Sequence, residues 1–232
     1  LRALQENPQA GVAYSWTDVI DDNSQFLHTG SHLTVNGNAY ANLLLVNFLE
    51  HGSNPLIRRQ ALNEVGGFDE SLNSCEDLDM YLRLAAHYHF VAVPSPQILY
   101  RVSSNSMSTN LLRMETSYLQ VIKRAFAQAP ESVQYLKKYS LSNIYKYLTF
   151  KALGENTLRH RSYLAIKFIW YAMINDPTLS RTRVIWKVLL KIVTVIFLPA
   201  QIAQLWINNN KGLFNISALL VHIKREIPSD NT

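Results

Sequence analysis

Residues 65–84 constrain this chain more than any other stretch: Val65-Gly66-Gly67-Phe68-Asp69-Glu70-Ser71-Leu72-Asn73-Ser74-Cys75-Glu76-Asp77-Leu78-Asp79-Met80-Tyr81-Leu82-Arg83-Leu84. Gly66 reads as the end of a helix, because glycine takes the positive φ that closes one without steric cost. Phe68 is expected to plug the turn as a buried apolar residue. A new helix then opens with Glu76, Asp77 and Asp79 in its first turn, where free backbone N–H groups favour carboxylates. Ser74 and Asp77 have the spacing of a capping box. The acidic helix mouth is thus either a capped start or a set of carboxylates for chemistry, and spacing leaves both open. Leu78, Leu82, Ala85 and Ala86 recur at i, i+4, i+7 and i+8 and should face a core, with Asp79 and Arg83 paired on another side.

Strand and helix signals alternate around this stretch. Residues 1–6 read as the last turns of an amphipathic helix, stopped at Asn7-Pro8 because the residue before proline is pushed out of the α region. Residues 11–16 have strand composition, Asp21-Asp22-Asn23-Ser24 that of a turn rather than a metal site, and residues 25–29 that of a returning strand. His28 and His32 lie in a stretch without helical period and are expected on the surface. Residues 40–49 are apolar enough for a well-buried helix, stopped by His51-Gly52-Ser53-Asn54-Pro55. A short strand at 56–59 and a helix at 59–65 lead to Gly66. Beyond the acidic helix, His87 and His89 suit its C-terminal carbonyls. Residues 90–93 and 98–102 are expected as two strands joined by Pro94-Ser95-Pro96, followed by a polar loop from Ser103.

From about residue 111 the period becomes helical throughout, with breaks at Pro130, Gly154 and Asp176-Pro177. Leu141, Ile144, Tyr145 and Leu148 form one apolar stripe, and Ile166, Ile169, Trp170 and Met173 a second, both expected in the core. Residues 184–206 are almost long enough to cross a bilayer. Lys187, Lys191, Thr194, Gln201 and Gln204 gather on one side of the helical wheel, however, and Pro199 interrupts the run. An interfacial helix is the leading reading, with residues 181–211 meeting anionic headgroups; a buried docking helix and a single span are the others.

Charge divides the chain in the same place. Residues 1–115 hold six Lys/Arg and twelve Asp/Glu, net −6, whereas residues 116–232 hold sixteen and five, net +11. The basic half has no nucleic-acid signature, so no nucleic-acid partner is expected. The single cysteine, Cys75, excludes an intrachain disulfide, and no Cys/His spacing suits zinc, which fits a reducing compartment. Dinucleotide-fold, P-loop and nucleophile-elbow motifs are absent from the sequence. Because it opens inside an element and not on Met, the chain is expected to be a fragment.

At Gly66-Gly67-Phe68-Asp69-Glu70 followed by Glu76-Asp77-Leu78-Asp79, the sequence resembles the family 2 glycosyltransferases. The order of features around these motifs supports the likeness: an Asn-Pro helix end, a Val-Ala-Tyr-Ser strand, an Arg-Arg-x-Ala-Leu helix entry, and Tyr100-Arg101 before a Ser-Met-Ser loop. The likeness covers about residues 1–110. It implies an α/β fold of GT-A type, here incomplete and followed by an all-α tail. The expected divisions are 1–112, the acceptor-side part; 113–180, a helical region; and 181–232, a basic amphipathic tail. It implies an inverting transfer from a nucleotide-diphospho-sugar donor to a glycan, lipid or polysaccharide acceptor. Asp77 would be the catalytic base, with Glu76, Asp79, Tyr100, Arg101 and Ser103 binding substrate; many relatives have His where Ser103 stands. The family's donor-binding units and Asp-x-Asp site would precede residue 1. This chain is therefore expected to lack the donor-binding half and to hold no metal, Mg or Mn being implied only for the full-length family member. The expected place of work is the cytoplasmic face of a membrane. The alternative is a non-catalytic remnant or a helical interaction module.

Overall fold

A single long strand organises the first part of the chain. Helix α1 (Arg2–Glu6) leads into β1 (Ala10–Ile20), followed by β2 (Phe26–Thr29), α2 (Tyr40–Leu45), β3 (Leu56–Ile57), α3 (Arg59–Val65), α4 (Glu76–Ala85), β4 (His89–Arg101) and α5 (Leu111–Gln128). The computed structural model describes residues 1–102, 110–154 and 159–223. β1 is buried along nearly its whole length because both its edges are paired. β4 runs parallel to it from Ala10 to Ile20. The other edge takes β3 antiparallel at Val12 and Ala13, and β2 antiparallel at Asp18 to Ile20. The result is a mixed four-stranded sheet with helices packed on it, as the α/β expectation requires.

β4 does not break at its prolines. Trp16 pairs with Pro96 while the preceding Ser15 pairs with Val93, so Pro94 and Ser95 are absorbed as a bulge and the strand continues. Proline is tolerated there because a bulge leaves a residue without a ladder partner. α2 is shorter than its apolar run suggests: Val46 is already extended at ψ 138°, and Phe48 and Leu49 are buried from non-helical backbone. A continuous apolar run carries no period to separate the two cases. Gly11 packs directly against Tyr88, where a Cβ would stand 2.7 Å from the tyrosine side chain.

Clustering of contacts divides the chain into two compact units, 1–133 and 134–232, and α5 belongs to the first. The second unit holds α6 (Lys137–Ala152), α7 (Arg159–Asn175), α8 (Arg183–Phe197), α9 (Ala200–Asn209), α10 (Lys211–Phe214) and α11 (Ala218–Val221). α6 is buried nearly all round. Lys146, 1% exposed, donates to Asp176 at 2.9 Å and to the His222 carbonyl at 2.9 Å. Leu148, Ile144 and Tyr145 are buried as expected.

The second apolar stripe is corrected. α7 buries Ser162, Ala165, Phe168, Ile169 and Ala172, while Ile166 and Trp170 are exposed. Ser162, Ala165 and Ala172 on this face, beside the larger Phe168 and Ile169, let α6 approach closely enough for Ser142 to donate to the Ala172 carbonyl at 3.0 Å. The polar stripe of residues 184–206 is corrected as well. α8 ends at Phe197 and α9 starts at Ala200, with Pro199 between them. Lys191 and Thr194 are buried, and the outward side of α8 is apolar. Among the described residues no helix is long and apolar enough to cross a membrane.

Candidate active site

α3 closes at Gly66 with φ +78°, and the turn that follows is held by side chains from two helices. Arg83 donates to the carbonyls of Val65, Gly66 and Gly67 at 2.6, 3.2 and 2.9 Å, and to Asp79 at 2.9 Å. From α5, Arg124 bonds Asp69 at 2.5 Å. With Ser71 and Arg124 both donating to it, the Asp69 carboxyl is held down to about 2. The buried residue of the turn is Leu72, not Phe68, which is 52% exposed: polar bonds from above close this turn, so no aromatic plug is needed.

α4 begins without a capping box. Its N-cap is Cys75, in the left-handed region at φ 62°, and Ser74 Oγ meets Cys75 Sγ at 3.4 Å instead of a backbone N–H. That backbone turns Glu76 and Asp77 together to the helix mouth. Burial raises the Asp77 carboxyl above its ordinary range. The Leu78 N–H, at 2.7 Å, opposes this, repulsion from Glu76 adds to it, and a bond from the Asn47 side chain again opposes it. Burial also pushes the Cys75 thiol up to about 12. Leu78, Leu82 and Ala85 face the core as expected; Ala86 is exposed, and Met80, Tyr81 and Leu84 are buried in addition.

Around this mouth stand residues that the sequence did not single out. Fully buried Tyr81 donates to the His51 carbonyl at 3.0 Å, and its own hydroxyl is raised by burial and by the charges of Asp77 and Glu76. The His51 ring lies 3.3 Å from Thr17 Oγ1 and 3.3 Å from Ser53 Oγ, and it stacks on Tyr100 at 4.5 Å. Burial lowers its pKa, which favours the neutral ring. Asn54 fixes this loop to β1, accepting from the Ser15 N–H and donating to its carbonyl, both at 2.9 Å. His51 thus joins β1, β4 and α4. The signal for it was thin: a His and one Asn inside a Gly-Ser-Pro loop, read only as a helix stop.

The expected site residues are distributed as follows. Asp77 and Glu76 are together, and Tyr100 joins them through His51 and Tyr81. Asp79 points to the other side of α4, about 200° around the helix from Asp77. There it is paired with Arg83, lies 4.0 Å from Arg124 and lines a cavity of about 840 Å³ with Gly67 and Asp69. Arg101 closes the 21–24 turn, donating to the carbonyls of Asp21 and Asp22 and to Ser24 Oγ. Ser103 lies outside the described residues. His28 is exposed, whereas His32 stacks on Trp16 and meets Asp18 at 3.1 Å. Among the described residues no three of His, Cys, Asp or Glu gather as metal ligands would.

No curated protein matches the sequence. The family model described as Glycosyltransferase like family 2 matches residues 1–152, about two thirds of the chain and well past α5.

Proposed function

The chain belongs to glycosyltransferase-like family 2, and we propose on that footing that it takes part in inverting transfer of a sugar from a nucleotide-diphospho-sugar to an acceptor hydroxyl. Asp77 is the base in this reading. The observation that carries it is a carboxyl at the helix mouth whose affinity for a proton is raised by burial, which suits a group that must accept one near neutral pH. The acceptor oxygen bonds to the anomeric carbon as its proton passes to Asp77, and the bond to the diphosphate breaks with the electron pair leaving on the nucleotide. Glu76, sharing the mouth, positions the acceptor. Asn47 Oδ1 is buried without a donor among the described residues. Once Asp77 is protonated, a turn of the Asn47 amide lets the acid donate to that oxygen, which stabilises the product state.

Tyr100 and His51 form the aromatic wall beside the acceptor, while Asp79 and Arg101 act by holding the turns at either side. The acceptor is a glycan, a lipid-linked sugar or a polysaccharide, and the basic helices of the second unit support peripheral work at a membrane surface. Transfer in the full protein from a panel of nucleotide sugars, read by the anomeric proton of the product, tests the reaction. The product should have the configuration opposite to the donor's, and retention would contradict a single displacement assisted by Asp77.

A further inference from the structure

The second unit wears its apolar side chains outward. On α7, Tyr163, Ile166, Trp170 and Ile174 are 58, 44, 60 and 56% exposed and recur at i, i+3, i+7 and i+11. On α8, Trp186, Leu189, Val193 and Phe197 have the same spacing and are 71, 37, 50 and 75% exposed. Inward, the same helices already have an apolar core, with Phe168, Ile169, Val188 and Ile192 buried, so the outward rows are a second apolar face. Helices that carry large apolar residues outward as well as in the core present an exposed patch, the mark of a contact surface.

The charges say which apolar solvent fits. Residues 134–232 hold fourteen Lys/Arg and four Asp/Glu, net +10, against eight and thirteen, net −5, in residues 1–133. In the described part of 134–232 the one carboxylate side chain is Asp176, buried against Lys146, so no acidic side chain is exposed there. Arg181, Arg183 and Lys211 are exposed beside α8 and α9. A second copy of such a face would bring like charges together, whereas an anionic lipid surface complements it. α8 has fifteen residues, about 22 Å, against a hydrocarbon core of about 30 Å, so it is too short to span and long enough to lie in the boundary.

We infer that the outward apolar rows of α7 and α8 seat in the headgroup boundary of an anionic bilayer, with the neighbouring cations on its phosphates. The inference rests on the peripheral reading above and fixes the face that makes contact: the apolar rows, and not the Lys191–Thr194 side.

The test uses the full protein and vesicles of mixed phosphatidylcholine and phosphatidylserine carrying brominated acyl chains. Single-tryptophan variants, the others changed to Phe, report each position. Emission from Trp170 and Trp186 should be quenched and that from Trp16, in the first unit, should not. The triple variant Trp186→Ser, Val193→Ser, Phe197→Ser should keep its helical circular dichroism and bind the vesicles at least about tenfold more weakly. Binding should fall with added salt and be weak on phosphatidylcholine alone. Vesicle binding without quenching at Trp170 and Trp186 overturns the assigned face and leaves peripheral attachment standing. Absence of vesicle binding, or lipid-free self-association abolished by the triple variant, overturns both. Asp77→Asn should bind the vesicles like wild type, so failure of the catalytic reading would leave this one intact.

Discussion

Burial raises the proton affinity of Asp77, which makes its charge a burden on folding. A carboxyl whose folded pKa lies above its unfolded value keeps its proton longer in the native state. The penalty is absent at low pH, where both states are protonated. It grows as pH rises from the ordinary carboxylate range through the raised value, and it is full above that. Asp77→Asn should therefore raise the melting temperature at neutral pH, with the gain vanishing in acid. Thermal melts across that range check it. The Glu76-Asp77 pair was legible because a helix start is written locally. Asn47 and His51 were not, since the contacts that bring them beside Asp77 and Tyr81 are made about thirty residues away in sequence.

At the scale of elements, local signals located starts and stops well. α3, the Gly66 closure and the breaks at Pro130 and Pro177 lie where glycine and proline place them. What local signals could not decide was which of two apolar faces a helix buries. α7 buries the face on which Ser162, Ala165 and Ala172 stand beside Phe168 and Ile169, a choice set by how closely two backbones can approach and not only by how apolar each side is. The two prolines of β4 misled for a related reason, because a full-length partner strand carries the chain across them. Arg83 shows how the Gly66-Gly67 turn is tied to α4, since one guanidinium serves three carbonyls and Asp79. Arg83→Met should cost about 2 kcal/mol in urea unfolding, the loss of several charge-assisted bonds from a partly exposed group.

Over the whole molecule, charge and architecture divide along one line. The acidic unit 1–133 carries the sheet, the Asp77 mouth and most of the family match, and the basic unit 134–232 carries the outward apolar rows. Fold class was readable from the sequence because strand and helix alternate through the first unit and cease in the second. The outward apolar rows of the second unit were not, because exposure belongs to packing and not to composition. If Asp77 accepts the acceptor's proton, the rate of sugar transfer must collapse in Asp77→Asn. The expected result is a fall in kcat of about 10²–10⁴-fold in a folded protein with an undiminished melting temperature; turnover within a few fold of wild type would remove Asp77 from the mechanism.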